Sequence, residues 1–333
     1  MKTRTAVTTT EVIVATLILV AVVVAVAALI FSDPWGERPL SHPDRDVDPA
    51  LVHYRQTREI PVDMQYVSAL AVGPTGDIYV AGDRAIHVFA PDGTKRDDID
   101  LDEEPTCLAV AGANHAKPDR LYVAMRQHVE VVTTDGRPVA KWETIAKANV
   151  TSIAAADEDI FVADAANKIV WRYAPDGTIQ GRIGDPDKKK HVPGFVITTP
   201  FFDLAMAPDG LLRVVNPRLL RIEAYTIDGD LEGHWGTASP DVDGFYGCCN
   251  PIHFAIFSDG RFVTAEKGVQ RIKIYDKQGQ FDCVVAGPEQ MTAQAGDLAV
   301  DHNDRVLALD PIARCVRIFE YDSDKSTPQT DKD

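Results

Sequence analysis

At 333 residues and 45% hydrophobic content, the chain has room for one large domain with a substantial core, or for two ordinary ones. Its formal charge of −16 argues against nucleic acid or an anionic lipid surface as a partner, since both would repel it. Five cysteines cannot all pair, so at least one thiol is free or intermolecular, and the absence of Cys-x-x-Cys excludes zinc-ribbon, thioredoxin and haem-attachment patterns.

Residues 1–11 are polar and carry Lys2 and Arg4. Val12 to Phe31 is then apolar except for Thr16. At about 1.5 Å rise per residue, a helix of that length spans a hydrocarbon core roughly 30 Å thick. Ala25-Val26-Ala27 resembles a signal-peptide cleavage site, but the apolar stretch runs past it and exceeds the about 7–15 residues of a signal core. The reading is therefore an uncleaved transmembrane anchor over residues 12–31. Lys2 and Arg4 precede it, while Asp33 and Glu37 follow. The positive-inside bias then makes residues 1–11 cytoplasmic and places the rest outside, in the periplasm or at the cell surface. Residues 32–50, rich in Pro and charge, read as an extended spacer.

Residues 51–321 repeat one phrase six times: a small apolar strand built around an Ala, an Asp-Gly-type turn, a Val-Ala-Asp-type strand and a strand ending in an aromatic. The Ala positions are Ala71, Ala109, Ala154, Ala205, Ala255 and Ala299, spaced 38, 45, 51, 50 and 44 residues apart. All-strand units of about 40–50 residues predict propeller blades. In the third unit, Val150–Ala155, Ile160–Ala163, Ile169–Tyr173 and Ile179–Ile183 read as four strands of an antiparallel meander, with turns at Asp157-Glu158-Asp159 and Pro175-Asp176-Gly177. The sixth unit ends after three strands, at Val316–Tyr321, and the alternating segment Tyr54–Val62 is available to complete it. Such closure hides the sheet edges that would invite aggregation. The expected fold is all-β, a six-bladed β-propeller over residues 51–321, followed by a disordered tail over 322–333.

The segment Val162-Ala163-Asp164, then Asn167-Lys168-Ile169 and Tyr173, resembles the NHL repeat, as does Pro251 four positions before Ala255. The resemblance covers roughly residues 51–321 and is loosest in the second unit, where Gly112 to Asp119 lengthens the first turn. It implies the propeller fold and a binding role, and does not by itself settle an activity.

Chemistry is expected on the face that carries the loops between second and third strands, together with the segments leading into each first strand. Two positions before the repeating Ala stand Ala69, Cys107, Ser152, Asp203, His253 and Asp297, and one position before it stand Leu70, Leu108, Ile153, Leu204, Phe254 and Leu298. The first column reads as lining the channel and the second as packing between blades. Asp203, His253 and Asp297, with Cys107, are thus candidates for a ligand or divalent metal at the channel mouth, against the plainer reading of a solvated, hydrogen-bonded channel. Cys248 and Cys249 lead into the fifth unit on the same face. Their adjacency supports a vicinal redox pair, a soft-metal site or bonding to other cysteines, against the plainer reading of a structural turn or disulfide.

Three functions follow as expectations. The leading one is a membrane-tethered extracytoplasmic propeller acting as a non-catalytic binding or assembly module, with a protein partner or small ligand at its mouth and no nucleic acid. The second is a metal-dependent propeller enzyme, since lactonases and NHL-like lyases share this architecture. The third is a redox or metal-handling accessory protein working through Cys248 and Cys249.

Overall fold

A computed structural model describes residues 47–187 and 192–325. The anchor expected over residues 12–31 lies outside the described residues, as do residues 1–11 and most of the spacer and tail. Among the described residues, no helix is long and apolar enough to cross a membrane.

The described chain is all-β. Strand β1 (Tyr54–Pro61) comes first; blade 1 then holds β2 (Val67–Val72), β3 (Ile78–Gly82), β4 (Ala85–Phe89) and β5 (Lys95–Asp100). Blade 2 holds β6 (Cys107–Val110), β7 (Arg120–Ala124), β8 (Val129–Thr133) and β9 (Pro138–Lys141). Blade 3 is β10 (Val150–Ala155), β11 (Ile160–Asp164), β12 (Ile169–Tyr173) and β13 (Ile179–Ile183). Blade 4 is β14 (Leu204–Met206), β15 (Leu212–Asn216), β16 (Arg221–Tyr225) and β17 (Leu231–Trp235). Blade 5 is β18 (His253–Ile256), β19 (Phe262–Ala265), β20 (Ile272–Tyr275) and β21 (Phe281–Ala286). Blade 6 contributes β22 (Asp297–Val300), β23 (Val306–Asp310) and β24 (Cys315–Tyr321), and its fourth strand is β1.

The ring closes as the alternation of Tyr54–Val62 predicts. Strand β1 lies antiparallel to β24, from Tyr54 opposite Tyr321 to Pro61 opposite Cys315, with a bulge between Gln56 and Arg58. Where the spacer ends, a turn at Pro49–Leu51 is capped by Asp48, and just beyond it His53 N–H donates to the Val284 carbonyl at 3.1 Å.

Burial follows position within each blade. The second strands β3, β11 and β23 are buried at every residue, because a neighbouring blade covers each face. They therefore read as continuous apolar runs rather than alternating ones. The outer strand β9 is exposed throughout and β5 nearly so; Pro138 and a run of charges from Lys95 to Asp98 blunt those edges against pairing with another chain. The Leu70, Leu108, Ile153, Leu204, Phe254 and Leu298 column is buried between blades. Some turns seat blade on blade: Gly177, at φ 90°, approaches so closely that a Cβ would meet Trp142 of blade 2 at 2.5 Å.

One device recurs above this core. The residue ending or following a second strand accepts a hydrogen bond from a backbone N–H of the segment leading into the same blade. Asp164 takes Asn149 N at 3.0 Å, Asn216 takes Val196 N at 3.0 Å, Glu266 takes Tyr246 N at 3.0 Å and Asp310 takes Thr292 N at 3.1 Å. The acid of the Val-Ala-Asp phrase is thus a clamp that sets the channel-facing segments in place.

Candidate functional site

Six first strands run side by side around a central channel of about 560 Å³. Each presents its free edge to the channel, so its unpaired backbone N–H groups need partners. Asp203 and Asp297 supply them. The Asp203 carboxylate accepts Phe254 N of blade 5 at 3.0 Å, Leu204 N at 2.9 Å and the Ser152 hydroxyl of blade 3 at 2.6 Å. The Asp297 carboxylate accepts Leu70 N of blade 1 at 2.8 Å and Leu298 N at 2.8 Å. Each side chain ties its blade to the next one.

His253 stands between the two. Its Nδ1 is 3.7 Å from Asp203 Oδ2 and 3.8 Å from Asp297 Oδ1, and its ring meets Phe201 edge-on at 6.1 Å. Burial disfavours the imidazolium, but contact with Asp203 and the charges of Asp297 and Asp203 outweigh it and raise the His253 pKa. Burial, with the like charge of Asp203, pushes Asp297 up to about 6 in spite of the opposing charge of His253. Cys107 also lines the channel; burial raises its thiol pKa well above the ordinary value, over a hydrogen bond to Thr106, so it is a neutral thiol. Ala69, the blade 1 member of the column, is buried instead. At the far end the lining turns apolar, with Val72, Val110, Met206, Ile256 and Val300.

The structure therefore brings Asp203, His253 and Asp297 together, but not as a metal cage. Among the described residues, the group whose ligand atoms all lie within 4.8 Å of one another is Glu103, His128 and Glu130. The donors of Asp203, His253 and Asp297 do not converge to that degree, and their geometry does not fit a shared ion. The Glu103 group, on the rim of blade 2, already holds a cation. Lys141 Nζ lies 3.0 Å from Glu130 and 3.3 Å from Glu103, with His128 Nε2 3.2 Å from Glu130.

Cys248 and Cys249 stand on the segment leading into blade 5, and all five cysteines are free thiols. Cys248 is exposed and Cys249 is buried, with a left-handed φ of 67°. Asn250 clamps the turn: its side chain donates to Tyr246 O at 2.6 Å and Lys267 O at 3.2 Å, and accepts from Lys267 N at 3.0 Å. Beneath it lies a buried ionic cluster that sequence reasoning missed. Glu266 pairs with Lys273 at 3.0 Å and Arg271 at 3.1 Å, and Lys273 also donates to Val242 O at 3.0 Å and Gly244 O at 2.6 Å. A signal was present in Arg271-Ile272-Lys273-Ile274-Tyr275, where charges alternate with apolar residues on a strand with no solvated face. Phe201, against His253, carries no signal in the sequence at all.

No protein-family model matches this sequence, and no curated protein matches it. Solved structures do. A streptogramin B lyase is similar at TM-score 0.57 and 11% identity, over 82% of this chain and 100% of that one. Virginiamycin B lyase from Staphylococcus aureus is similar at TM-score 0.54 and 12% identity, over 80% of this chain and 99% of that one. A protein of unknown function from Bacteroides thetaiotaomicron gives TM-score 0.53 and 16% identity, over 77% of this chain and 69% of that one. The likeness is one of fold. It places the chain among six-bladed propellers and leaves membership of the NHL family unassigned.

Proposed function

We propose that this chain is a membrane-tethered, extracytoplasmic propeller that binds a small ligand bearing a positive charge at the mouth of its channel. The supporting observation is the charge imbalance around His253. Two carboxylates, Asp203 and Asp297, face one imidazole, and burial, followed by the like charge of Asp203, raises Asp297 to about 6 although His253 and the backbone N–H groups of Leu70 and Leu298 oppose it. A cationic group beside Asp297 would relieve the imbalance, while the apolar far end of the 560 Å³ channel receives the organic remainder. The tether and the export rest on residues 1–50 as read from the sequence.

Calorimetry of the full chain in detergent, against diamines, guanidines and dicarboxylates, tests this reading. Amines or guanidines should bind, affinity should fall as pH drops through about 6 and Asp297 is neutralised, and Asp297→Asn should weaken binding about tenfold or more, the effect of losing about 1.4 kcal/mol. Preference for dicarboxylates would overturn it.

A second reading has its own support. His253 and Asp297 are titratable groups 3.8 Å apart whose pKa values are both raised, that of Asp297 to about 6, an arrangement suited to proton transfer, and two of the similar folds belong to lyases. Consumption of virginiamycin B by the wild-type chain and not by His253→Ala, followed by mass spectrometry, would favour it; unchanged virginiamycin B would remove it.

A further inference from the structure

The channel does not account for the turn at Gly247-Cys248-Cys249-Asn250. Adjacent cysteines are not needed to make a turn, and a left-handed β-carbon-bearing residue such as Cys249 carries a conformational cost. Here that cost is met by an unusual foundation: the buried Asn250 clamp and the Glu266, Lys273 and Arg271 cluster beneath it. What this foundation holds in place is a pair of thiols, one exposed and one buried.

The surroundings of the buried thiol favour its anion. Cys249 Sγ lies 3.2 Å from the Thr198 hydroxyl. The Thr199 hydroxyl is buried beside it with no hydrogen-bond partner of its own, and stands among the groups that favour the Cys249 anion. Burial would raise the Cys249 pKa, but Thr198, Thr199, the neighbouring Cys248 thiol and the charge of Lys267 outweigh it and lower it. The nearby ammonium argues against a bound soft cation and for a thiolate nucleophile. Adjacent Cα atoms are about 3.8 Å apart, below the about 4.4–6.8 Å that disulfides prefer, so a bond between these two sulfurs is one that forms and opens rather than a permanent staple.

We infer that Cys248 and Cys249 form a dithiol–disulfide redox site whose co-substrate is an organic disulfide. The Cys248 thiol, exposed to solvent, gives up its proton as its sulfur attacks one sulfur of the disulfide R–S–S–R; a Cys248–S–S–R bond forms, the R–S–S–R bond breaks, and one R–S⁻ leaves and takes up a proton. The Cys249 thiolate then attacks Cys248 Sγ, the mixed disulfide breaks, and the second R–S⁻ leaves and is protonated. The protein loses two electrons and two protons as the vicinal disulfide, and the organic disulfide becomes two thiols. The event is local to the channel mouth: Thr198 and Thr199 immediately precede Pro200 and Phe201, and Phe201 touches both His253 and Lys267, at 6.1 Å and 5.2 Å between the groups.

The test treats the folded full chain with glutathione disulfide and follows thiol count and intact mass. Wild type should lose two thiols and the mass of two hydrogens, with the peptide carrying residues 248 and 249 cross-linked and restored by dithiothreitol. Cys249→Ser, which keeps the attacking thiol and lacks the resolving one, should instead trap one glutathionyl adduct. Cys248→Ser, altered only at an exposed position, should stay unmodified. Retention of both thiols by wild type, or a stable adduct on wild type, would overturn the proposal. So would a loss of thiols that persists unchanged in Cys248→Ser.

Discussion

The segments leading into blade 3 and blade 5 start from the same repeated phrase and end in different states. Above blade 3, Asp164 is a self-contained clamp: it accepts Asn149 N at 3.0 Å, Asn167 Nδ2 at 2.6 Å and Trp171 Nε1 at 3.3 Å, all neutral donors. Above blade 5, Glu266 does the same for Tyr246 N but also neutralises Lys273 and Arg271, which are buried with it. Blades 4 and 6 also pair a buried acid with one cation, Glu223 with Arg221 and Asp310 with Arg317. Blade 5 differs in burying two cations almost completely against one carboxylate, a costly arrangement that stands where the segment carries two thiols and runs on to His253.

The largest expected effect breaks this comparison directly. Glu266→Gln leaves Lys273 and Arg271 buried without a counter-charge and should cost about 3–5 kcal/mol in reversible urea unfolding. Asp164→Asn removes acceptor strength from neutral donors and should cost about 1–3 kcal/mol. Equal losses at the two positions would mean that the blade 5 cluster is only another clamp. Lower in the molecule, Asp203→Ala strands Phe254 N, Leu204 N and the Ser152 hydroxyl at once and should cost about 2–3 kcal/mol, against about 1 kcal/mol for Ser152→Ala. The same Asp203→Ala change should lower the His253 pKa in an NMR titration, because it removes the contact that holds the proton there.

The fold was legible because its cause is periodic. A spaced Ala column, Asp-Gly turns and an unpaired alternating segment at Tyr54–Val62 are local signals, and a ring of six blades follows from them. The channel column was legible in part, since register places Cys107, Ser152, Asp203, His253 and Asp297 at one level. Whether their donors converge was not, because that depends on distances across the ring, and no local pattern encodes them. The Glu103, His128 and Glu130 group shows the converse: His128 and Glu130 stand two residues apart at the start of β8, but Glu103 comes from the segment between β5 and β6, and nothing in the sequence announces that it meets them. Polar residues on strands covered on both faces, such as Lys273, are the one sequence sign that would have found the blade 5 cluster.

The finest comparison lies within blade 6, where two carboxylates are shifted in opposite directions. Burial works against the ionised form of Asp310, but the Thr292 hydroxyl, the backbone N–H groups of Ala313 and Thr292, and Arg317 prevail and lower its pKa. Asp297 is raised from 3.8 to about 6. For Asp310 the folded state binds fewer protons than the unfolded one, so its contribution is present above the ordinary carboxylate value and is lost as pH falls through the depressed one. For Asp297 the folded state binds more protons between about pH 4 and pH 6, so stability declines as pH rises through that window. His253, raised above its ordinary 6.5, extends the decline upward from there. Melting curves across pH 4–7 should therefore flatten in Asp297→Asn relative to wild type, while Asp310→Asn should lose its stability deficit only at the acid end. If Asp297→Asn leaves the slope unchanged, the carboxylate is not strained by burial, and the case for a cation as its natural partner goes with it.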